Sequence, residues 1–376
     1  MGKPFKNVIY YTKPLLPDLN LLDKGLREIY SKAWLTNMGN QHKRLEKLVQ
    51  RRLKSKYISL FNNGMTALMV AIKALDLRGE IITTPFTFPA TPNAILWNNL
   101  EPVFCDIDKD SLNINPVEIE KRITKKTSAI LAVHVFGNPC NVNEIEQIAK
   151  KHKLKVIYDA AHAYGLKYKN KSIANFGDIS MFSFHATKLF HSLEGGCLAF
   201  NEKKLSRKVY LYKNFGIAGE EEVLLPGLNG KLNEVNCLFG ILVDKMIQDE
   251  KKARKRIYKI YKENLKDIDG IFFYDKDNPN IQDSYQYFVI RINQKLYGKN
   301  RDQLFKKLRA YNVFARKYFS PLCSNLPYFK SNLSAKKKNL KIANQIVNET
   351  LALPFYGSLK DWEVLKICKI IKNFKK

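Results

Sequence analysis

The sequence predicts an α/β fold: a large domain on a mostly parallel central sheet, followed by a smaller C-terminal α+β domain. Three observations carry this. Between about residues 55 and 200, short β-branched or aromatic runs alternate with helical patterns, as in sheets whose crossovers are helices. Several of those runs are apolar almost throughout, as strands covered on both faces are. After about residue 240 the texture changes to a basic helical stretch, a strand and a further helix. The chain of 376 residues is long enough for such a pair, divided here into 1–245 and 246–376.

In chain order, the expected strands are Tyr57–Phe61, Glu80–Thr84, Pro102–Asp106, Ala129–His134, Lys155–Asp159 and Ser180–Phe184. Between them, Thr66–Leu75 and Val142–Lys151 carry apolar residues at three-and-four spacing, the mark of an amphipathic helix. Further on, Lys251–Lys266 reads as a basic, Tyr-bearing helix, Ser284–Ile292 as a strand and Asp302–Tyr311 as a helix. The Lys-rich segment Ala335-Lys336-Lys337-Lys338-Asn339 reads as the solvated start of another helix.

Apolar residues make up 45% of the chain, which excludes global disorder. The formal net charge of +29 invites a nucleic-acid reading, helped by Lys251-Lys252-Ala253-Arg254-Lys255-Arg256. Yet 51 of the 64 basic residues are Lys, spread along a chain also rich in Asn and Ile, and no nucleic-acid motif accompanies them. No apolar run approaches the roughly 18 to 20 residues of a membrane span. Met1-Gly2-Lys3-Pro4-Phe5-Lys6 lacks a signal-peptide core, and Lys6 stands where a myristoylation signal wants Ser or Thr. Six scattered cysteines without a C-x-x-C pair read as reduced thiols, and six histidines show no metal-ligand spacing. A cytoplasmic protein that needs no metal is expected.

The chemistry-bearing residues sit just past successive strands, where ligands of such sheets bind. Asn62-Asn63-Gly64-Met65-Thr66 leaves a strand and opens a helix, presenting unpaired N–H groups to an anion. Thr84-Pro85-Phe86-Thr87-Phe88 places a flat ring beside that helix start, suited to stacking on a heteroaromatic. Asp159 closes an apolar strand, a costly place for a carboxylate unless a cation or strong donor meets it. Lys188 follows another apolar strand in Ser183-Phe184-His185-Ala186-Thr187-Lys188, ahead of Leu193-Glu194-Gly195-Gly196, where a partly desolvated amine becomes a nucleophile. Phosphate cradle, stacking ring, acid and amine in this order are the parts of a pyridoxal-phosphate site.

At these residues the chain resembles the DegT/StrS family of sugar-nucleotide aminotransferases, fold-type I pyridoxal-phosphate enzymes. The likeness runs from Trp34-Leu35-Thr36-Asn37-Met38-Gly39 to Leu353-Pro354-Phe355, and its most specific part is the pair Asp159-Ala160-Ala161-His162 and Ser183-Phe184-His185-Ala186-Thr187-Lys188. The His-Ala-Thr-Lys version, followed by Glu-Gly-Gly, most resembles the branch that makes dTDP-4-amino-4,6-dideoxyglucose.

The resemblance implies that Lys188 links covalently to the cofactor and later moves the substrate proton. It implies that Asp159 pairs with the ring nitrogen, Phe88 stacks on the ring and His162 lies near its hydroxyl side. Gly64, Met65, Thr66 and Ser183 would hold the phosphate, joined by Asn229 from a neighbouring subunit, so that a homodimer shares its sites. Thr36, Asn37, His185, Lys231, Arg316 and Tyr318 are the implied substrate-binding residues. The chain departs from many members in having His162 in place of Gln, Met65 in place of Thr and Lys231 in place of Arg. The implied reaction moves an amino group from glutamate to a dTDP-4-keto-6-deoxyglucose-type sugar, as in O-antigen or polysaccharide biosynthesis. The rivals are amination at C3 or on a GDP-linked keto sugar and, from another class altogether, nucleic-acid binding.

Overall fold

Six of the seven strands of the central sheet are the six expected runs, each within two residues at either end. They are β1 (Tyr57–Phe61), β2 (Glu80–Thr83), β3 (Glu101–Phe104), β4 (Thr127–Val133), β5 (Lys155–Asp159) and β6 (Ile179–Ser183). The seventh, β7 (Gly196–Phe200), lies between β1 and β6 and pairs antiparallel with both. The order across the sheet is β1-β7-β6-β5-β4-β2-β3, and every other pairing in it is parallel. The computed structural model describes residues 3–375. Met1 and Gly2, with which the myristoylation reading begins, and Lys376 lie outside them.

Both faces of the sheet are covered, as the continuous apolar runs predict. Successive residues of one strand enter different clusters: Ile130 and Ala132 of β4 face one, Ala129 and Leu131 the other. In β7, Cys197 and Ala199 divide from Leu198 and Phe200 in the same way. Burying each of the larger side chains among these, Ile130, Leu131, Leu198 and Phe200, contributes about 1.5–3 kcal/mol. A separate cluster gathers Phe5, Ile9, Ile257, Tyr261, Phe288, Ile290 and Leu351 around a three-stranded antiparallel sheet of Ile271–Phe273, Phe288–Ile292 and Thr350–Leu353.

Three expectations change. The Lys-rich segment Ala335–Asn339 forms 3-10 turns, and the helix after it starts only at Lys341. The strand read as Ser284–Ile292 begins only at Phe288. Asp283, Ser284 and Gln286 before it are buried polar residues, each bonded away from any sheet ladder. The basic run 251–256 does not make one cationic face, because Arg254 is 1% exposed and paired inward with Glu250 at 2.6 Å. No helix among the described residues is long and apolar enough to cross a membrane, and no group of His, Cys, Asp and Glu there clusters to hold a metal ion. All six cysteines are buried and free.

Candidate active site

The carboxyl ends of β1, β5 and β6 open into one cavity of about 310 Å³, within the size range of small-molecule sites. Its first wall is the start of helix Gly64–Ala74. Asn63 caps that helix by accepting the Thr66 N–H at 2.8 Å. The N–H groups of Gly64 and Met65 precede the first intrahelical bond and border the cavity. Gly196 of β7 passes directly behind this turn, where a Cβ would stand 2.9 Å from the Asn63 carbonyl and the Gly64 nitrogen. Only glycine lets the antiparallel strand approach so closely. Ser183, at the end of β6, lines the same corner.

The floor is Asp159. Its Oδ2 accepts the Thr91 hydroxyl at 2.8 Å and its Oδ1 the Ala161 N–H at 3.1 Å, while Thr87 and Thr91 bond each other at 2.8 Å. Burial pushes this carboxyl above the usual carboxylate range, against the pull of Thr91, Ala161 and the Lys188 charge. Such a group has unmet capacity for a cationic donor. Lys188 borders the cavity from the other side, half-buried, with its Nζ 5.9 Å from the centre of the Tyr287 ring. His162 is held well below the ordinary imidazole range by burial first and by Lys188 second, so it is neutral. Its Nδ1 accepts the Phe136 N–H at 3.3 Å, which leaves the proton on Nε2. The ring stacks on Phe136 and Phe319 and meets Tyr287 edge-on.

Of the fifteen residues read from the sequence, the cavity collects ten: Gly64, Met65, Phe88, Asp159, His162, Ser183, His185, Lys188, Arg316 and Tyr318. Phe88 is 58% exposed at the rim, while Phe86 is fully buried in the core. His185 Nε2 lies 3.5 Å from Glu194, and its Nδ1 bonds Thr187 at 2.8 Å. Tyr318 reaches the Tyr11 hydroxyl at 3.4 Å, bringing a residue from the N-terminal segment into the wall.

The other five residues lie elsewhere in the single chain. Thr66 is one residue too deep in its helix. Thr36 and Asn37 are exposed in the bend before helix Asn40–Leu53. That helix is capped by Glu234, which accepts the Gln41 and His42 N–H groups at 2.7 and 2.9 Å. Asn229 is exposed, and Lys231 turns to Asn214 at 3.0 Å and lies over the Phe215 ring.

Thr87, Thr91, Tyr11 and Glu194 are the site residues that sequence reasoning left without a role. The hydroxyl pair had no helical signal, since Thr91 lies in helix Ala90–Leu96 whereas Thr87 lies in the bend before it.

The residues present fit a pyridoxal-phosphate cofactor: an anion cradle at a helix start, a carboxylate with spare accepting capacity, a neutral His and an amine share one cavity. The model of the DegT/DnrJ/EryC1/StrS aminotransferase family matches residues 20–372. An Escherichia coli dTDP-4-amino-4,6-dideoxy-D-glucose transaminase is 42% identical over 363 residues, covering 96% of this chain and 97% of that protein. The Shigella dysenteriae protein of the same name is 40% identical over 376 residues, covering all of both chains. Among solved structures, DesI in the presence of its TDP-sugar product superposes with a TM-score of 0.93 at 28% identity, covering 99% of this chain and 94% of that one. The chain belongs to the DegT/DnrJ/EryC1/StrS aminotransferase family.

Proposed function

We propose that this protein is a pyridoxal-phosphate-dependent transaminase that moves the amino group of glutamate to C4 of a dTDP-linked 4-keto-6-deoxyglucose, giving dTDP-4-amino-4,6-dideoxyglucose. The observation that carries the proposal is the meeting of Asp159, Lys188 and the Gly64–Met65 turn in one cavity. Two full-length relatives named for this transamination support the choice of sugar.

Bound there, the cofactor supplies an aldehyde that takes up an amine and a protonated ring that draws off carbanion charge. In this reading the Gly64 and Met65 N–H groups and the Ser183 hydroxyl bind its phosphate. Asp159 would accept a hydrogen bond from the cofactor's ring nitrogen and favour its protonated form, and His162 would offer its Nε2–H to the cofactor. Phe88, at the rim, would help to hold the ring and keep water from it. Lys188 would hold the cofactor through its amine and, with that amine free, would take the α-proton of glutamate and return a proton to the sugar carbon. Arg316, which is exposed at the cavity and forms no ion pair among the described residues, would meet a substrate carboxylate or diphosphate. Tyr318 and His185 line the same approach.

The shared homodimer belongs to this proposal. Thr36, Asn37, Asn229 and Lys231 lie outside the cavity, in segments that also expose Trp34, Leu35, Phe215, Val223 and Leu224. A second copy covering those apolar groups would bring the four residues toward its own site. The division at 245/246 is proposed with it, since Lys245 and Met246 fall between helices Glu234–Asp244 and Ile247–Leu265. A cytoplasmic location is supported by six buried, free thiols.

The test is direct. Incubation with pyridoxal phosphate is expected to give a visible chromophore that borohydride removes, and Lys188→Ala is expected to lose both the chromophore and transamination. NMR of the product from glutamate and dTDP-4-keto-6-deoxyglucose is expected to show the amine at C4. A C3 amine, or turnover only with a GDP-linked sugar, would replace the substrate assignment and leave the chemistry standing.

A further inference from the structure

Gln286 lies outside the cavity lining, is 2% exposed, and spends its side-chain amide on backbone alone. Its Oε1 accepts the Leu189 N–H at 2.7 Å, and its Nε2 donates to the Thr187 carbonyl at 3.1 Å. The residue between those two partners is Lys188. A peptide N–H can only donate and a carbonyl can only accept, so the orientation of the amide is determined by its partners. A carboxylate of the same size satisfies Leu189 but turns a lone pair toward the Thr187 oxygen. A leucine satisfies neither.

The glutamine is itself braced. Arg254 donates from Nη1 to the carbonyls of Tyr285 and Gln286, both at 3.2 Å, and from Nε to Glu250 at 2.6 Å. Glu250 also accepts the Gly357 N–H at 2.8 Å. Next to Gln286, Ser284 donates to the His162 carbonyl at 3.0 Å, and the Tyr287 ring faces both His162 and Lys188. The polar segment 284–287 therefore touches the backs of His162 and Lys188 from an element remote in sequence.

We propose that Gln286 is a positioning residue for Lys188, clamping the peptides on either side of the lysine so that its amine addresses the cavity. This rests on the transaminase reading above. The experiment compares wild type, Gln286→Leu and Gln286→Glu. In cofactor-free protein, hydrogen exchange at the Leu189 amide is expected to speed by about tenfold in Gln286→Leu and to stay slow in Gln286→Glu. With pyridoxal phosphate, borohydride trapping slows in both variants. The kcat is expected to fall roughly ten- to a hundredfold in Gln286→Leu, and less in Gln286→Glu. KM for the sugar should stay within about twofold.

A folded Gln286→Leu that keeps wild-type Leu189 protection, trapping rate and kcat overturns the proposal. Should that variant fail to fold, wild-type trapping and kcat in Gln286→Glu overturn it instead. A wild type without the chromophore would sink the transaminase reading, while the Leu189 exchange measurement, made without cofactor, still reports on the clamp.

Discussion

Two aspartates at the carboxyl edge of the same sheet are buried to nearly the same degree and do opposite things. Asp106 follows β3 at 6% exposure, and Asp159 ends β5 at 5%. Asp106 accepts three backbone N–H groups, from Ile107 at 2.9 Å, Ile342 at 2.9 Å and Ala343 at 2.8 Å, and so ties the start of helix Lys341–Ile346 to the sheet. Asp159 accepts one backbone N–H and one hydroxyl, borders an open cavity, and has its carboxyl pushed upward by burial. The first carboxylate is held on both oxygens by three groups that can only donate. The second is left short, and the shortfall is what a cationic ligand can fill. Burial alone does not distinguish a structural cap from a carboxylate open to a ligand; the count and kind of donors do.

The comparison breaks most visibly on replacement of each by Asn. Asp159→Asn is expected to lower transamination by roughly 10²–10³-fold, because a neutral amide no longer holds a ring nitrogen charged. Its cofactor-free stability should equal or exceed that of wild type. The Thr91 and Thr87 hydroxyls can reverse their roles to suit the new amide, and a buried charge has been removed. Asp106→Asn should do the reverse. Its NH₂ must face the Ile342 or Ala343 N–H, which cannot turn round, so urea unfolding is expected to show a loss of about 1–3 kcal/mol with the chromophore intact. Equal stability losses in both variants would erase the distinction.

A subtler readout is pH. Because the folded-state pKa of Asp159 lies above its unfolded value, the folded chain binds this proton more tightly than the unfolded chain. Cofactor-free wild type should therefore gain stability relative to Asp159→Asn as pH falls through the raised folded value toward the ordinary carboxylate range near about 4. Above that window the difference should be flat. A gain on raising the pH would show that the carboxylate form is the one the fold favours.

Much of this pair was legible in the sequence, and the rest was hidden for identifiable reasons. Six strands announced themselves through β-branched and aromatic runs, and the strand-end positions of Asp159 and Lys188 followed from them. β7 escaped because Gly196-Cys197-Leu198-Ala199-Phe200 has neither β-branched residues nor polar alternation, and an antiparallel strand needs no preceding helix to signal it. The Asp106 carboxylate finds two of its three donors at residues 342 and 343, more than 230 positions away, where no local pattern points. Gln286 was absorbed into an expected strand because the aromatic run around it continues smoothly into Phe288–Ile292. Thr36, Asn37, Asn229 and Lys231 were read through a resemblance to enzymes that share sites between subunits, and one chain alone does not bring them to the cavity.

The finest test of the aspartate comparison is Thr91→Val, which keeps shape and removes the hydroxyl that bonds Asp159 Oδ2. Asp159 then retains only the Ala161 N–H, so its burial is less compensated and its carboxyl should be pushed further upward. Thr87 also loses its partner, but it borders the cavity and can turn to water. A single hydrogen bond to a carboxylate is worth about 1.5–3 kcal/mol, and a bound ring cation would offset part of that loss. The expected result is a fall of about tenfold in kcat, smaller than for Asp159→Asn. It should be accompanied by a shift of the acid limb of the kcat–pH profile to higher pH, since the carboxylate form is now harder to reach. A fall in kcat with an unmoved acid limb would mean that Thr91 acts through packing, and that the Asp159 charge is set by the cavity alone.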